Sequence, residues 1–307
     1  IYRMFYKLTI LLLFSCVFGA IIHVPGDDNS IQEAINTAIE GDTVVVYPGL
    51  YEENILIDKS ITLTSLALFD TTTNTIAQSL DNWYDWISNQ YMVTDDNINS
   101  TIIDGSGETK STITIATDED LCIEPIILGF TIQDGSGTLM NRYYVNPDGG
   151  TDTLLQYLGG GVLSYLANPT LHYNKIQNNG GIEDVIKSGS AIYPASSSDD
   201  IDFIDRNTQR NRDCENDVFD FTHNFFENNF SSLGRHIGNR YFEGDIDLSN
   251  CVFDYWNCQD EGVYQTPIWV NIDDLDNYFD NDIVYSGQLI IYEEPVPIYE
   301  LYKRNYK

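Results

Sequence analysis

Residues 30–55 read Ser-Ile-Gln-Glu-Ala-Ile-Asn-Thr-Ala-Ile-Glu-Gly-Asp-Thr-Val-Val-Val-Tyr-Pro-Gly-Leu-Tyr-Glu-Glu-Asn-Ile, and they decide the fold. Ser30 with Glu33 three positions on forms a capping box. Ile31, Ala34, Ile35, Ala38 and Ile39 then recur at helical spacing, so one short amphipathic helix is expected, closed by Gly41 at its C′ position. Three strand-like runs follow at Thr43–Tyr47, Asn54–Ile57 and Ile61–Leu66, separated by Pro48-Gly49 and by Asp58-Lys59-Ser60. A helix followed by short strands around corners is the local pattern. Ile31, Ile35 and Ile39 are expected to plug an open end of stacked parallel strands, where bare edges invite aggregation.

The run from Ser30-Ile31-Gln32 to Tyr51-Glu52-Glu53-Asn54-Ile55 resembles the N-terminal cap and first coil of right-handed parallel β-helix proteins of the pectin-lyase-like superfamily. Ile126 to Gly137 and the closing stretches Phe253–Asn257 and Thr266–Asn271 are similar to the same family. The resemblance implies an all-β, single-stranded right-handed parallel β-helix with an N-terminal capping helix. It implies no particular reaction, because that opening sits on lyases, esterases and hydrolases alike.

Residues 1–22 read as a signal peptide: Lys7 supplies a positive n-region, Leu8 to Val17 an apolar run, and Val17-Phe18-Gly19 a small residue before Ala20. A secreted or cell-surface protein with no membrane span after signal removal follows. Residues 23–282 form the expected β-helix, with insertions at 67–98 and 138–158, and 283–307 a C-terminal cap or tail. With 47 acidic against 15 basic residues and a net charge of −32, nucleic acid and anionic lipid are poor partners. Four cysteines remain outside the leader, and their spacing matches neither a zinc site nor a redox pair. Export to an oxidising compartment permits disulfides among them, and the competing reading is small apolar fillers of the interior.

The internal repeat is clearest in Asn174-Lys175-Ile176-Gln177-Asn178-Asn179 and Asn224-Phe225-Phe226-Glu227-Asn228-Asn229, with Asn250-Cys251-Val252 as a third beginning. Ile132 to Ile176 spans 44 residues, Ile176 to Phe226 50, and Phe226 to Val252 26, as expected for coils stretched by loops. These asparagines are expected either to adopt left-handed turn geometry or to bond the equivalent amide one coil away.

The insertions carry the candidate binding residues. Thr72 to Gln90 is expected to be an outer helix with Ile76, Leu80, Trp83 and Ile87 on one face. Trp83 and Trp86, with Tyr143, Tyr144 and Tyr157 of the second insertion, are the aromatic candidates for stacking on sugar rings.

For catalysis, Asp200-Ile201-Asp202-Phe203-Ile204 is a shadow of the pectinesterase motif. Arg206, Arg210, Arg212, Arg235 and Arg240 beside those aspartates form the one local charge anomaly. A calcium-dependent polysaccharide lyase would use such arginines, so Asp200, Asp202, Arg206, Arg235 and Arg240 are the candidate catalytic residues. Ion pairing with the surrounding acids explains them without any substrate. The four histidines show no metal spacing and read as surface or turn residues, and the acidic run 271–282 lacks the glycine and terminal glutamate of a calcium loop.

The reading is a monomeric, acidic, carbohydrate-associated protein whose partner is a polysaccharide or cell-surface glycan. No cofactor or resident metal is expected, with calcium the one candidate. No catalytic motif is recognisable; the alternatives are a calcium-dependent lyase or pectinesterase-like enzyme, and a structural, adhesin-like module.

Overall fold

The computed structural model describes residues 19–76, 98–116, 122–145, 151–165, 167–180 and 218–230, with shorter stretches at 186–188, 191–195, 236–238, 245–247, 251–253, 268–269, 283–284 and 289–290. Among the described residues it is all-β apart from one α-helix and two short 3-10 turns, and its strands are mostly parallel. Three long sheets of eight, seven and six strands hold the molecule together. No helix among the described residues is long and apolar enough to cross a membrane.

The chain visits the three sheets in one constant order. Thr43–Val46 lies in the eight-stranded sheet, Gly49–Glu52 in the seven-stranded and Ile55–Ile57 in the six-stranded. The next circuit repeats the sequence with Thr62–Ser65, Thr101–Asp104 and Ile113–Ala116, and a third with Ile126–Leu128, Thr131–Gln133 and Val162–Tyr165. Parallel register stacks like on like: Ile55, Ile113, Val162, Ile192 and Ile237 fall in one column, and each is at most 1% exposed. Ile103, Ile132, Ile176 and Phe226 form a second column, wholly buried. Burying each such side chain is worth about 1.5–3 kcal/mol, so these columns are the main stabilising feature.

The helix α1 (Ile31–Thr37) seals the first circuit, with Ile31, Ala34 and Ile35 fully buried. Ser30 Oγ accepts the Glu33 amide at 3.2 Å, and the Glu53 carboxylate accepts the Ile31 and Gln32 amides, each at 3.0 Å. At the other end, Lys59 Nζ donates to the Ile35 and Ala38 carbonyls at 3.1 and 3.2 Å. An acid at the helix start and a base at its end both complement the helix dipole. Gln32 covers the outermost strand of the six-stranded sheet: Leu56 N donates to Gln32 Oε1 at 2.7 Å and Gln32 Nε2 to Leu56 O at 3.2 Å. One amide side chain thus stands in for the missing neighbour strand.

Two expectations about this helix change. The helix stops at Thr37, and Ala38 is already extended, because the Asp42 carboxylate takes the Ile39 amide at 2.9 Å and turns the chain early. Ile39 therefore lies 64% exposed and does not plug the end, and Gly41, at φ +84°, serves the turn into the next strand.

Other readings are also corrected. Thr72–Ile76 does not begin a helix: Phe69–Asp70 and Thr75–Ile76 pair antiparallel. Asp70 accepts the Thr72 amide at 2.7 Å, Asn74 takes φ 54°, and a run of β-branched threonines favours the hairpin. Bonds from Thr72 and Thr73 hold Asp70 down at about 2. Residues 77–97 lie outside the described residues. The second insertion is a hairpin of Thr138–Val145 against Thr151–Leu158. Val252 does not sit over Phe226; it pairs with Phe225, and Phe253 pairs with Phe226. Cys122 is disulfide-bonded, with its partner outside the described residues, whereas Cys251 is a core filler at 1% exposure. His236 is fully buried beside Phe226, with ring centroids 5.8 Å apart, and is not a surface residue.

The asparagine motif resolves into a division of labour. The first and last asparagines form two buried ladders, while Asn178 and Asn228 between them take φ 56° and 53°. Asn174 Oδ1 accepts the Phe130 amide and Asn224 Oδ1 the Asn174 amide, both at 3.0 Å. Asn179 Oδ1 accepts the Gly135 amide at 3.0 Å and Asn229 Oδ1 the Asn179 amide at 3.1 Å. Each ladder side chain also donates to a carbonyl one circuit back, Asn174 to Ile127 and Asn224 to Leu171. Cys251 continues this rung, its Sγ lying 2.8 Å from the Phe221 carbonyl.

Candidate functional site

The outer face of the seven-stranded sheet carries a second kind of column. Parallel register aligns Glu52, Asp104, Gln133, Gln177 and Glu227, one per strand. Strand spacing sets them about 4.8 Å apart. Each neighbours an inward-facing core residue, so side-chain alternation directs this row away from the core. The adjoining outward row is shielded at Thr131, Lys175 and Phe225, all under 9% exposed, with Thr131 Oγ1 donating to the Ile98 carbonyl at 3.1 Å, and open at Leu50, which is 57% exposed. The column from Glu52 to Glu227 is the polar strip: Glu52 is exposed, Gln133, Gln177 and Glu227 are half-buried, and Asp104 is covered, at 9% exposure.

Its hydrogen bonds run in one direction. Gln177 Nε2 donates to Gln133 Oε1 and Gln133 Nε2 to Asp104 Oδ2, each at 2.9 Å, while Asp104 Oδ1 accepts the Ser106 amide at 2.9 Å. An ionised carboxylate only accepts, so Gln133 must turn its NH2 to Asp104 and its oxygen to Gln177. The whole amide row is oriented by one charge.

Asp134 joins the cluster from a left-handed turn, at φ 58°. Burial, the charge of Asp104 and a hydrogen bond to it all raise the Asp134 carboxyl above the usual range. Burial pushes Asp104 up too, but bonds from Ser106, Gln133 and Asp134 outweigh it and hold it below that range. The two carboxyls are therefore split, with the proton favoured on Asp134. At the far end Glu227 pairs with Lys175 at 2.9 Å, and the Lys175 ammonium also lies 5.7 Å over the Phe225 ring. This buried lysine neutralises Glu227 and offers no free cation to a ligand. The strip thus presents amides and unneutralised carboxylates.

A second polar cluster sits where the eight-stranded sheet turns into the seven-stranded. His172 Nε2 lies 2.6 Å from Asp220 Oδ1, close but poorly aligned for a linear N–H···O bond. Burial raises Asp220, yet His172 and Thr222 together leave it lowered. Tyr173 and His223, both with left-handed backbones, stack beside it with centroids 5.0 Å apart. The nearby Thr222 hydroxyl lies 3.1 Å from His223 Nδ1.

None of the residues of these two clusters was among the candidates read from the sequence. Asp200, Asp202, Arg206, Arg235 and Arg240, with Trp83 and Trp86, fall outside the described residues. Residues 143 and 157 share one face of the second hairpin, set by the pairs Tyr143↔Thr153 and Leu139↔Tyr157, and residue 144 falls on the other. Leu139 on the first face is 47% exposed. No group of three or more His, Cys, Asp or Glu side chains converges to hold a metal ion among the described residues.

The strip was missed because its members are scattered through the chain. Thr101-Ile-Ile-Asp-Gly and Thr131-Ile-Gln-Asp-Gly invite an alignment of Asp104 with Asp134, whereas the real register is offset by one and sets Asp104 against Gln133. No protein-family model matches the chain, and a search of the curated proteins finds no match.

Proposed function

We propose that this chain is a right-handed parallel β-helix, exported from the cell, that binds neutral polysaccharide along its seven-stranded sheet without turning it over. The fold reading is supported by the cyclic order in which the chain visits the three mostly parallel sheets and by the capping helix at their first circuit. Parallel crossovers are right-handed in nearly all proteins, which supplies the hand.

The observation that carries the functional reading is the oriented row Asp104–Gln133–Gln177. Sugar hydroxyls are both donors and acceptors, and a repeat of amide and carboxylate groups every 4.8 Å or so matches an extended glycan with such groups along its length. A uronic-acid polymer meets a different field. Asp104 is ionised, Lys175 is neutralised by Glu227, and the molecule carries a net charge of −32, so repulsion acts at every range. The aromatic candidates Trp83, Trp86, Tyr143, Tyr144 and Tyr157 extend the same reading as stacking partners.

The test incubates purified protein with neutral glucans, polygalacturonate and alginate, with and without calcium, following retention and the absorbance of unsaturated uronate. Retention on a neutral glucan with no product supports the proposal. Calcium-dependent product lost in Arg235→Ala or Arg240→Ala would replace it with the lyase; retention by none would leave a structural module.

A further inference from the structure

The first strand begins at Ile21, within the segment that reads as a leader, and the backbone is already engaged one residue earlier. Ala20 N donates to Asp42 Oδ1 at 2.7 Å, and Ala20 O accepts the Thr43 amide at 2.8 Å. Asp42 is only 4% exposed, and its other oxygen takes the Ile39 amide at 2.9 Å. This buried carboxylate is held by two neutral amides. Lys59, the lysine of this corner, directs its ammonium to the Ile35 and Ala38 carbonyls and to Asp58. A buried carboxylate without a cation is costly, and a charge-assisted bond is about twice as strong as a neutral one.

Residue 19 is constrained from two sides. A Cβ there would meet the Gly41 carbonyl oxygen at 1.9 Å, so only glycine passes this point. Gly19 and Ala20 are both exposed, and glycine is the small residue a leader peptidase requires before its cut.

We propose that the Gly19–Ala20 peptide bond is the processing point and that the α-ammonium released on Ala20 becomes the counter-ion of the Asp42 carboxylate. Hydrolysis by a leader peptidase adds one water across the bond, leaving a carboxylate on Gly19 of the released segment and an ammonium on Ala20. The atom that now donates as an amide N–H at 2.7 Å then donates as a cation. Export and folding are coupled in this way: the first strand is tied to the second, and to the turn after α1, by a charge that exists only in the processed chain.

Two measurements test this. The full sequence is produced in an exporting host and the exported protein analysed by intact mass and N-terminal sequencing. A chain beginning at Ala20 is expected; one beginning elsewhere, or retaining the leader, overturns the proposal. Separately, chains starting at Ala20 and at Gly19 are prepared by tag removal, each with and without Asp42→Asn. The substitution lowers the melting temperature by about 5 °C in the Ala20 chain and by less than half as much in the Gly19 chain. Equal losses overturn the counter-ion. Should Asp42→Asn fail to fold, selective acetylation of the α-amine in the otherwise unaltered Ala20 chain gives the same reading. Its melting temperature falls, and an unchanged one refutes the proposal.

Discussion

Asn179→Ala separates ladder asparagines from turn asparagines within one six-residue motif. Asn179 is fully buried, and its side chain accepts from Gly135 N at 3.0 Å and donates to Ile132 O at 3.2 Å and to Asn229 Oδ1 at 3.0 Å. Alanine removes all three and strands the Gly135 amide where water does not reach. A typical bond contributes about 1 kcal/mol net, and a stranded buried group costs about 1–3 kcal/mol. The total is about 4 kcal/mol, or roughly 8 °C for a chain of this size. Asn178, its neighbour, is exposed and contributes only a left-handed backbone at φ 56°. Asn178→Ala therefore costs about 1 kcal/mol, and Asn178→Gly close to nothing. Urea unfolding followed by circular dichroism measures all three. Equal losses at 178 and 179, or a loss below about 1 kcal/mol at 179, would refute the ladder as a structural bond network.

Ile35→Asp places a carboxylate in the fully buried face of α1, so the melting temperature should fall and light scattering should report self-association through the uncovered first strands. Asp220 and Asp104 are both lowered in the folded state. Their contribution is complete above the unfolded carboxylate value of about 3.9 and is lost as pH falls through the folded values. Asp220→Asn should therefore flatten the acid limb of a stability profile, and an unchanged limb would dismiss the His172 contact as a contributor. With a net charge of −32, the melting temperature should rise with ionic strength. If calcium raises it no further than ionic-strength-matched sodium chloride, calcium acts by screening alone.

What was legible in the sequence was whatever depended on neighbours along the chain. Ser30 and Glu33 define the helix start, and the alternation of Ile55 and Ile57 defines an inward face, because both effects act within a turn or a strand. The parallel sheets could be anticipated from the Asn-x-apolar-x-Asn-Asn frame. Its third copy slipped by one, since Cys251 takes the ladder place that Asn250 seemed to claim. Gly41 and Ile39 were misread because Asp42 ends the helix through a bond that composition does not reveal. The polar strip was illegible for a different reason. Gln133 and Gln177 lie 44 residues apart and Asp104 and Gln133 29, and loops of unequal length between circuits hide the register that brings them together.

The central claim is that the oriented amide row binds neutral glycan, and affinity electrophoresis in gels containing a soluble neutral glucan tests it most directly. Gln133→Ala and Gln177→Ala remove the row while leaving the core columns untouched, and circular dichroism verifies the fold. The account predicts retardation of the unaltered protein by the glucan, none by polygalacturonate, and a weakening of about tenfold in each variant, corresponding to roughly 1.4 kcal/mol. Equal retardation of the variants and the unaltered protein, or stronger retardation by polygalacturonate than by the glucan, would contradict it.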